Sequence, residues 1–248
     1  MKTVLSSIRD TICEKLKCHD IHRIQWQKVV MADLIFQDWG LIDYDEALKN
    51  QQELVEKVSS ETLPGYLIFC THPPVVTLGR ATKSGDVFNW NGKTVEVSRG
   101  GRATYHGPSQ LIVYPILNLT FARKGRKDRE IVGYLRVFED AIVDVLKSYD
   151  IQAQGRSLHK NPQTDSEADE TGVWVGNHKL ASLGVGVRKW VTFHGAAINL
   201  TYDPKAFVGM NPCGFTAETM VSLEQVLNTP LDTKQFSERL KLRLLQAL

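Results

Sequence analysis

Apolar residues recur along this chain with two spacings, and each change of spacing marks an element. Leu5, Ile8, Ile12 and Leu16 repeat at helical intervals with Arg9, Asp10, Glu14 and Lys15 on the other faces, which predicts an amphipathic helical extension over residues 1–20. Its charges interrupt any apolar run of the signal-peptide kind. Residues 22–30 have strand character. A second helix is expected over residues 43–59, with Asp43 as N-cap and Tyr44, Ala47, Leu48, Val55 and Val58 on one face. The apolar run at 66–70 follows Pro64-Gly65 and reads as a buried strand that takes Cys70 into the core. Residues 75–78, 94–97 and 111–116 continue the β pattern, punctuated by Gly79, Asn91-Gly92 and Gly107-Pro108.

Helical spacing returns over residues 128–149, where Ile131, Leu135, Phe138, Ile142, Val145 and Leu146 form a core-facing stripe. Residues 152–171 are polar and acidic and read as a loop. A second β block runs over 173–200, and Phe236, Leu240 and Leu244 predict a closing helix. Strands in irregular alternation with a few long helices imply an α+β fold, a single domain over residues 21–248 with a mixed, largely antiparallel sheet flanked by helices.

Composition narrows the picture by exclusion. With 42% hydrophobic and 23% charged residues, the 248-residue chain can bury a substantial core. No apolar run approaches the roughly 20 residues that cross a bilayer, and a formal charge of +2 gives no reason to expect a nucleic-acid partner. Four scattered cysteines, Cys13, Cys18, Cys70 and Cys213, in a chain this long point to free thiols in a reducing compartment. Cys13, Cys18, His19 and His22 gather four soft ligands within ten positions, but structural zinc sites pair short spacings across a longer loop, and Cys13 falls on the apolar stripe of the leading helix. No metal is expected.

Chemistry concentrates in three stretches. Arg99, Gly100, Gly101, Arg102, Ala103, Thr104, Tyr105 and His106 bring cations, glycine, hydroxyls and imidazole together before a buried strand, with Thr104 and His106 on one face and Tyr105 on the other. His194, Gly195, Ala196 and Ala197 form a second His-Gly step, followed by small residues that leave room for a ligand. Asn211-Pro212-Cys213-Gly214 is a turn that offers a thiol beside free backbone N–H groups, and Lys179 is a cation within a strand hairpin.

Three ordered blocks over roughly residues 25–225 resemble the lipoyl(octanoyl) transferases. They are Arg99 to Gln110; Gly172 to Val175 continuing through Lys179, Ser182, Leu183 and Gly184 to Gly195; and Asn211 to Gly214 with Ser222-Leu223. The resemblance implies a fold related to biotin and lipoate protein ligases. It also implies transfer of an octanoyl group from octanoyl-acyl carrier protein to a lysine of lipoyl domains, those of 2-oxoacid dehydrogenase complexes and of the glycine cleavage H protein. Cys213 would carry the acyl group as a thioester with Lys179 beside it, while residues 99–106, Ser182 to Gly184 and His194 to Ala197 would line the acyl site. No cofactor is implied, and the expected enzyme is a cytoplasmic monomer without a membrane partner. Ser109 departs from the glycine usual in the family.

These residue types suit the chemistry. A thiol with a pKa of about 8.5 is only a few per cent thiolate at pH 7, and a nearby ammonium raises that fraction. The acceptor amine must lose a proton before it attacks, which makes Lys179 the candidate proton shuttle. Burying an eight-carbon tail contributes about 5 kcal/mol at roughly 0.8 kcal/mol per methylene, so chain-length preference should be graded. Residues 152–171 are a candidate lid, and Arg123-Lys124-Gly125-Arg126-Lys127 could attract an acidic carrier protein. Two rival readings remain: an ATP-dependent lipoate or biotin ligase, and a lipoyl-domain-binding module without chemistry. A ligase has no need of Cys213, and no separate nucleotide motif is evident.

Overall fold

In the central strands successive side chains go to opposite faces, and both faces are covered. Strand β2 (Gly65–Thr71) sends Leu67 and Phe69 into one core and Tyr66, Ile68 and Cys70 into another. Strand β6 (Gln110–Leu117) divides Leu111 and Val113 from Ile112, Tyr114 and Ile116 in the same way. Burial on both sides explains why these strands read as unbroken apolar runs rather than as alternation.

The computed structural model describes residues 34–61, 63–123, 126–157 and 168–248. The expected leading helix, the strand character at 22–30 and the cluster from Cys13 to His22 lie outside the described residues. Strand β1 (Ile35–Leu41) leads to helix α1 (Tyr44–Ser60), then β2, β3 (Val75–Leu78), β4 (Lys93–Glu96), β5 (Thr104–His106) and β6. Helix α2 (Ile131–Lys147) follows, then β7 (Gln154–Gly155), β8 (Gly172–Val175), β9 (His178–Arg188) and β10 (Val191–Asn199). Short 3₁₀ turns at Pro212–Gly214 and Ala217–Thr219 precede helices α3 (Leu223–Leu227) and α4 (Thr233–Ala247).

The described residues form a seven-stranded sheet in the order β1-β2-β6-β10-β9-β8-β7 and a three-stranded sheet in the order β4-β3-β5. Pairing is antiparallel except for β1–β2 and β3–β4, so the expected mixed, largely antiparallel α+β architecture is present. Helices α2 and α4 cover one face of the large sheet. Phe236, Leu240 and Leu244 are fully buried there, each contributing roughly 1.5–3 kcal/mol by leaving water. Helix α1 covers the other face through Ala47, Val55 and Val58, and Asp43 caps it by accepting from the Asp45 N–H at 2.9 Å. Among the described residues no helix is long and apolar enough to cross a membrane.

Sequence and structure differ at element ends and at two polar segments. Helix α2 begins at Ile131, three residues later than expected, because Arg129 takes a left-handed φ of 53° and the Glu130 side chain folds back to accept from the Lys127 N–H at 3.0 Å. On α1 the third buried position is Gln51 and not Leu48, which is only half-buried. The polar stretch 152–171 includes strand β7, and its last residues are stitched to the hairpin β8–β9. Residues 158–167 lie outside the described residues.

Candidate active site

Pro212, with its φ fixed near −65°, starts a tight 3₁₀ turn that places Cys213 in the left-handed region, at φ 56° and ψ 18°. A non-glycine residue held there costs about 1–2 kcal/mol, which the surroundings must offset. Three backbone hydrogen bonds do so. Cys213 N–H donates to the Ala103 carbonyl at 2.8 Å, Gly214 N–H to Asn211 and Phe215 N–H to Pro212, both at 3.0 Å. The N–H groups of the turn are therefore occupied, and the expected free donors beside the thiol are not there. Nor is the thiol exposed: Cys213 is 3% accessible. Binding the turn to Ala103 draws Sγ inward between two hydroxyls, Thr104 Oγ1 at 3.8 Å and Ser182 Oγ at 3.6 Å.

Lys179 projects from β9 into the protein and is fully buried. Its Nζ donates to the Asp169 carbonyl at 2.6 Å and lies 5.7 Å from the ring centres of both Trp174 and Phe215, whose π faces favour a cation. Asp169 N–H in turn donates to the Cys213 carbonyl at 2.8 Å. One residue of the former loop thus ties the lysine and the cysteine turn together; the two make no direct hydrogen bond with each other.

A narrow cavity is lined by Thr104 and Ser182 together with Tyr44, Arg99, His106, Tyr114, Leu183, Gly184, His194, Gly195, Ala196 and Ala197. Its polar walls are almost all neutral. Burial, reinforced by His72, Arg99 and His194, takes His106 well below the ordinary histidine value. Burial and Arg99 take His194 down to about 3, and burial pushes the phenols of Tyr44 and Tyr114 up. Arg99 is the exception, a guanidinium held by the carbonyls of Gly100 and Thr77 and by Thr77 Oγ1 at 2.7–3.0 Å. The cavity therefore discourages additional charge.

Ten of the residues expected to line the acyl site meet at this cavity, namely Arg99, Thr104, His106, Ser182, Leu183, Gly184, His194, Gly195, Ala196 and Ala197. Gly100, Gly101 and Arg102 line instead a wider adjoining groove, which shares Leu183 and Gly184 with the cavity. Arg102 pairs there with the buried Asp86. Tyr105 and Ala103 belong to neither. Side chains alternate along β5, and Tyr105 packs on Trp90 and Phe207 in a small core shared with Ala103. Gly195 has a different role from leaving space: a Cβ there would lie 2.0 Å from the Val113 carbonyl, so glycine is needed for β10 to approach β6. Of the basic segment at 123–127, Arg126 is buried and donates to the carbonyls of Leu119 and Phe121, which closes a turn and leaves that guanidinium unavailable for a partner. Ser109, the odd residue of its block, accepts from the Leu200 and Thr201 N–H groups through its carbonyl, a contact indifferent to its side chain.

Several site residues carried no signal in the sequence. Tyr44 reads as one more apolar position of α1, yet it stacks on His106 with centroids 5.6 Å apart. Tyr114 sits inside an apolar run and bonds His72 at 2.7 Å. Asp169 acts through its backbone, which no residue type announces.

Comparison with known proteins agrees with this geometry. The family described as lipoyl protein ligase A/B catalytic domain matches residues 43–244. An octanoyltransferase of Bdellovibrio bacteriovorus is 69% identical over 88% of this chain and 100% of its own length. An octanoyltransferase of Geobacter metallireducens is 36% identical over 80% of this chain and 85% of its own. Among solved structures, lipoate-protein ligase A bound with ATP shares the fold with a TM-score of 0.61 at 15% identity, over 86% of this chain and 83% of that one.

Proposed function

The chain belongs to the lipoyl protein ligase A/B catalytic family and, within it, to the octanoyltransferases, and we propose that it moves an octanoyl group from acyl carrier protein, through a Cys213 thioester, to a lysine of a lipoyl domain. The observation that carries this reading is the cysteine turn. Its sulfur lies between two hydroxyls that belong to the wall of a neutral cavity, and its carbonyl is held by the residue that also holds Lys179.

In the first half-reaction the Cys213 sulfur attacks the donor thioester, a new C–S bond forms, and the pantetheine sulfur leaves with the proton given up by Cys213. Lys179 supplies the positive charge that favours the thiolate on the way. The oxyanion needs donors, and the turn's own N–H groups are occupied. The hydroxyls of Thr104 and Ser182, 3.8 and 3.6 Å from the sulfur, are the groups placed to supply them. In the second half-reaction the acceptor amine attacks the Cys213 thioester, the C–N bond forms and the C–S bond breaks. Lys179 relays a proton from the amine to the departing sulfur. Neutral, largely buried walls hold little ordered water and so favour aminolysis over hydrolysis.

The acyl carrier protein donor, the lipoyl-domain acceptors and a cytoplasmic location are part of this proposal, which the similarity to octanoyltransferases supports. Incubation with octanoyl-acyl carrier protein without ATP should add one octanoyl group to Cys213, released by hydroxylamine and read by mass spectrometry. A requirement for ATP would favour a ligase, and absence of any adduct would remove the thioester mechanism.

A further inference from the structure

Resting on the transferase reading, a question about the second half-reaction remains open: what receives the acceptor lysine, which arrives as an ammonium ion from water. The groove that adjoins the cavity is lined by Ala81, Lys83, Gly100, Gly101, Arg102, Leu135, Thr171 and Asp169. Asp169 is the one carboxylate among them. Its backbone is fully engaged, with N–H bonded to the Cys213 carbonyl and C=O bonded to Lys179 Nζ. Its side chain is engaged on one oxygen, since Oδ1 accepts from the Thr171 N–H at 3.1 Å. The other oxygen, Oδ2, is packed so close to Gly101 that a Cβ there would lie 2.3 Å from it.

We propose that the Asp169 carboxylate is the docking point for the acceptor lysine, holding its ammonium in the groove next to the Cys213 thioester. Three features support this assignment. Its position is fixed relative to both catalytic residues through hydrogen bonds of 2.6 and 2.8 Å, so a cation bound to Oδ2 is registered against the thioester. Glycine at 101 clears the space in which Oδ2 lies, at the stretch that borders Arg102 and Ala103 and so the cysteine turn. Asp169 is the carboxylate that lines the groove, and the charge of its neighbour Arg102 is already met by Asp86. Glu139 on α2 accepts from the Gly172 N–H, three residues beyond Asp169, and from the N–H and hydroxyl of Ser157.

Asp169 does not change the stoichiometry of the transfer. The ammonium held on Oδ2 gives one proton to water in the groove and the other, through Lys179, to the Cys213 sulfur as the C–N bond forms. The carboxylate ends as it began.

The test uses the full-length chain in single turnovers. Enzyme acylated by octanoyl-acyl carrier protein is freed of excess donor and mixed with a lipoyl domain. Asp169→Asn, which retains the backbone contacts, should raise the lipoyl-domain concentration for half-maximal rate tenfold or more. Cleavage of the same acyl-enzyme by hydroxylamine, a nucleophile that arrives uncharged, should change less than threefold. Asp169→Ser guards against an effect peculiar to asparagine and should behave alike. Unchanged transfer in both variants would overturn the assignment, as would an equal loss toward hydroxylamine, because the side chain would then act on the thioester or on the fold. If wild-type protein forms no thioester at all, the transferase reading itself fails, which is a separate outcome.

Discussion

On the proposed mechanism, Lys179 and the two hydroxyls around Cys213 act on the same atoms at different moments. Lys179→Ala removes the charge that favours the thiolate and the relay that serves the amine, so both half-reactions should slow by about 10²–10⁴-fold. Lys179→Arg should not restore them, because a guanidinium cannot give up its proton. Ser182→Ala removes one donor near the oxyanion and should lower kcat by on the order of 10²-fold while the fold is kept. Rapid-quench measurement of octanoyl transfer onto Cys213 reads both effects, and wild-type acylation in Lys179→Ala would take the lysine out of the mechanism. At this scale much was legible. Cysteine in an Asn-Pro-Cys-Gly turn and lysine on a hairpin strand announce themselves by residue type. The burial of Cys213 did not, because it follows from the hydrogen bond between its N–H and Ala103, residues 110 positions apart.

Helix α1 shows how an element serves the site while it closes the core. Its apolar face was readable from spacing, but Gln51 breaks the pattern, and the reason lies across the sheet. His194 takes φ 59° within β10, which turns its N–H away from strand pairing and toward Gln51 Oε1 at 2.7 Å. Replacing Gln51 by methionine keeps the volume and leaves that buried N–H unpaired, at a cost of about 1–3 kcal/mol. The denaturant midpoint should fall with an unchanged m value; an unaltered midpoint would mean that the N–H finds another partner. Periodicity identifies the elements because burial has a period. It is silent about a polar residue placed to satisfy one irregular strand position, and about residues such as Asp169 that act through their backbone.

For the whole molecule, the neutral histidines of the cavity link the site to acid stability. Folding lowers His194 from the ordinary value of about 6.5 to about 3. Its contribution is complete above pH 6.5 and is lost progressively as the pH falls toward 3, at about 1.4 kcal/mol per unit. His106 shifts in the same direction. His194→Asn, which tolerates the left-handed backbone, should flatten the decline in stability between pH 6.5 and 5, measured as the guanidinium midpoint against pH. An equally steep decline would place the acid sensitivity elsewhere. The fold class was readable from the irregular succession of strands and helices. The strand order, with β10 between β6 and β9, was not, since it is decided by which faces bury each other.

The inward tilt of Cys213 also bears on how the protein meets chemicals that are not its substrates. Both described thiols, Cys70 and Cys213, are buried, but their surroundings differ: Cys70 is enclosed in the core beneath α1, whereas Cys213 lies against Thr104 and Ser182, two residues of the cavity wall. Small alkylating agents should therefore label Cys213 before Cys70, and the order of labelling reads how readily each surrounding opens.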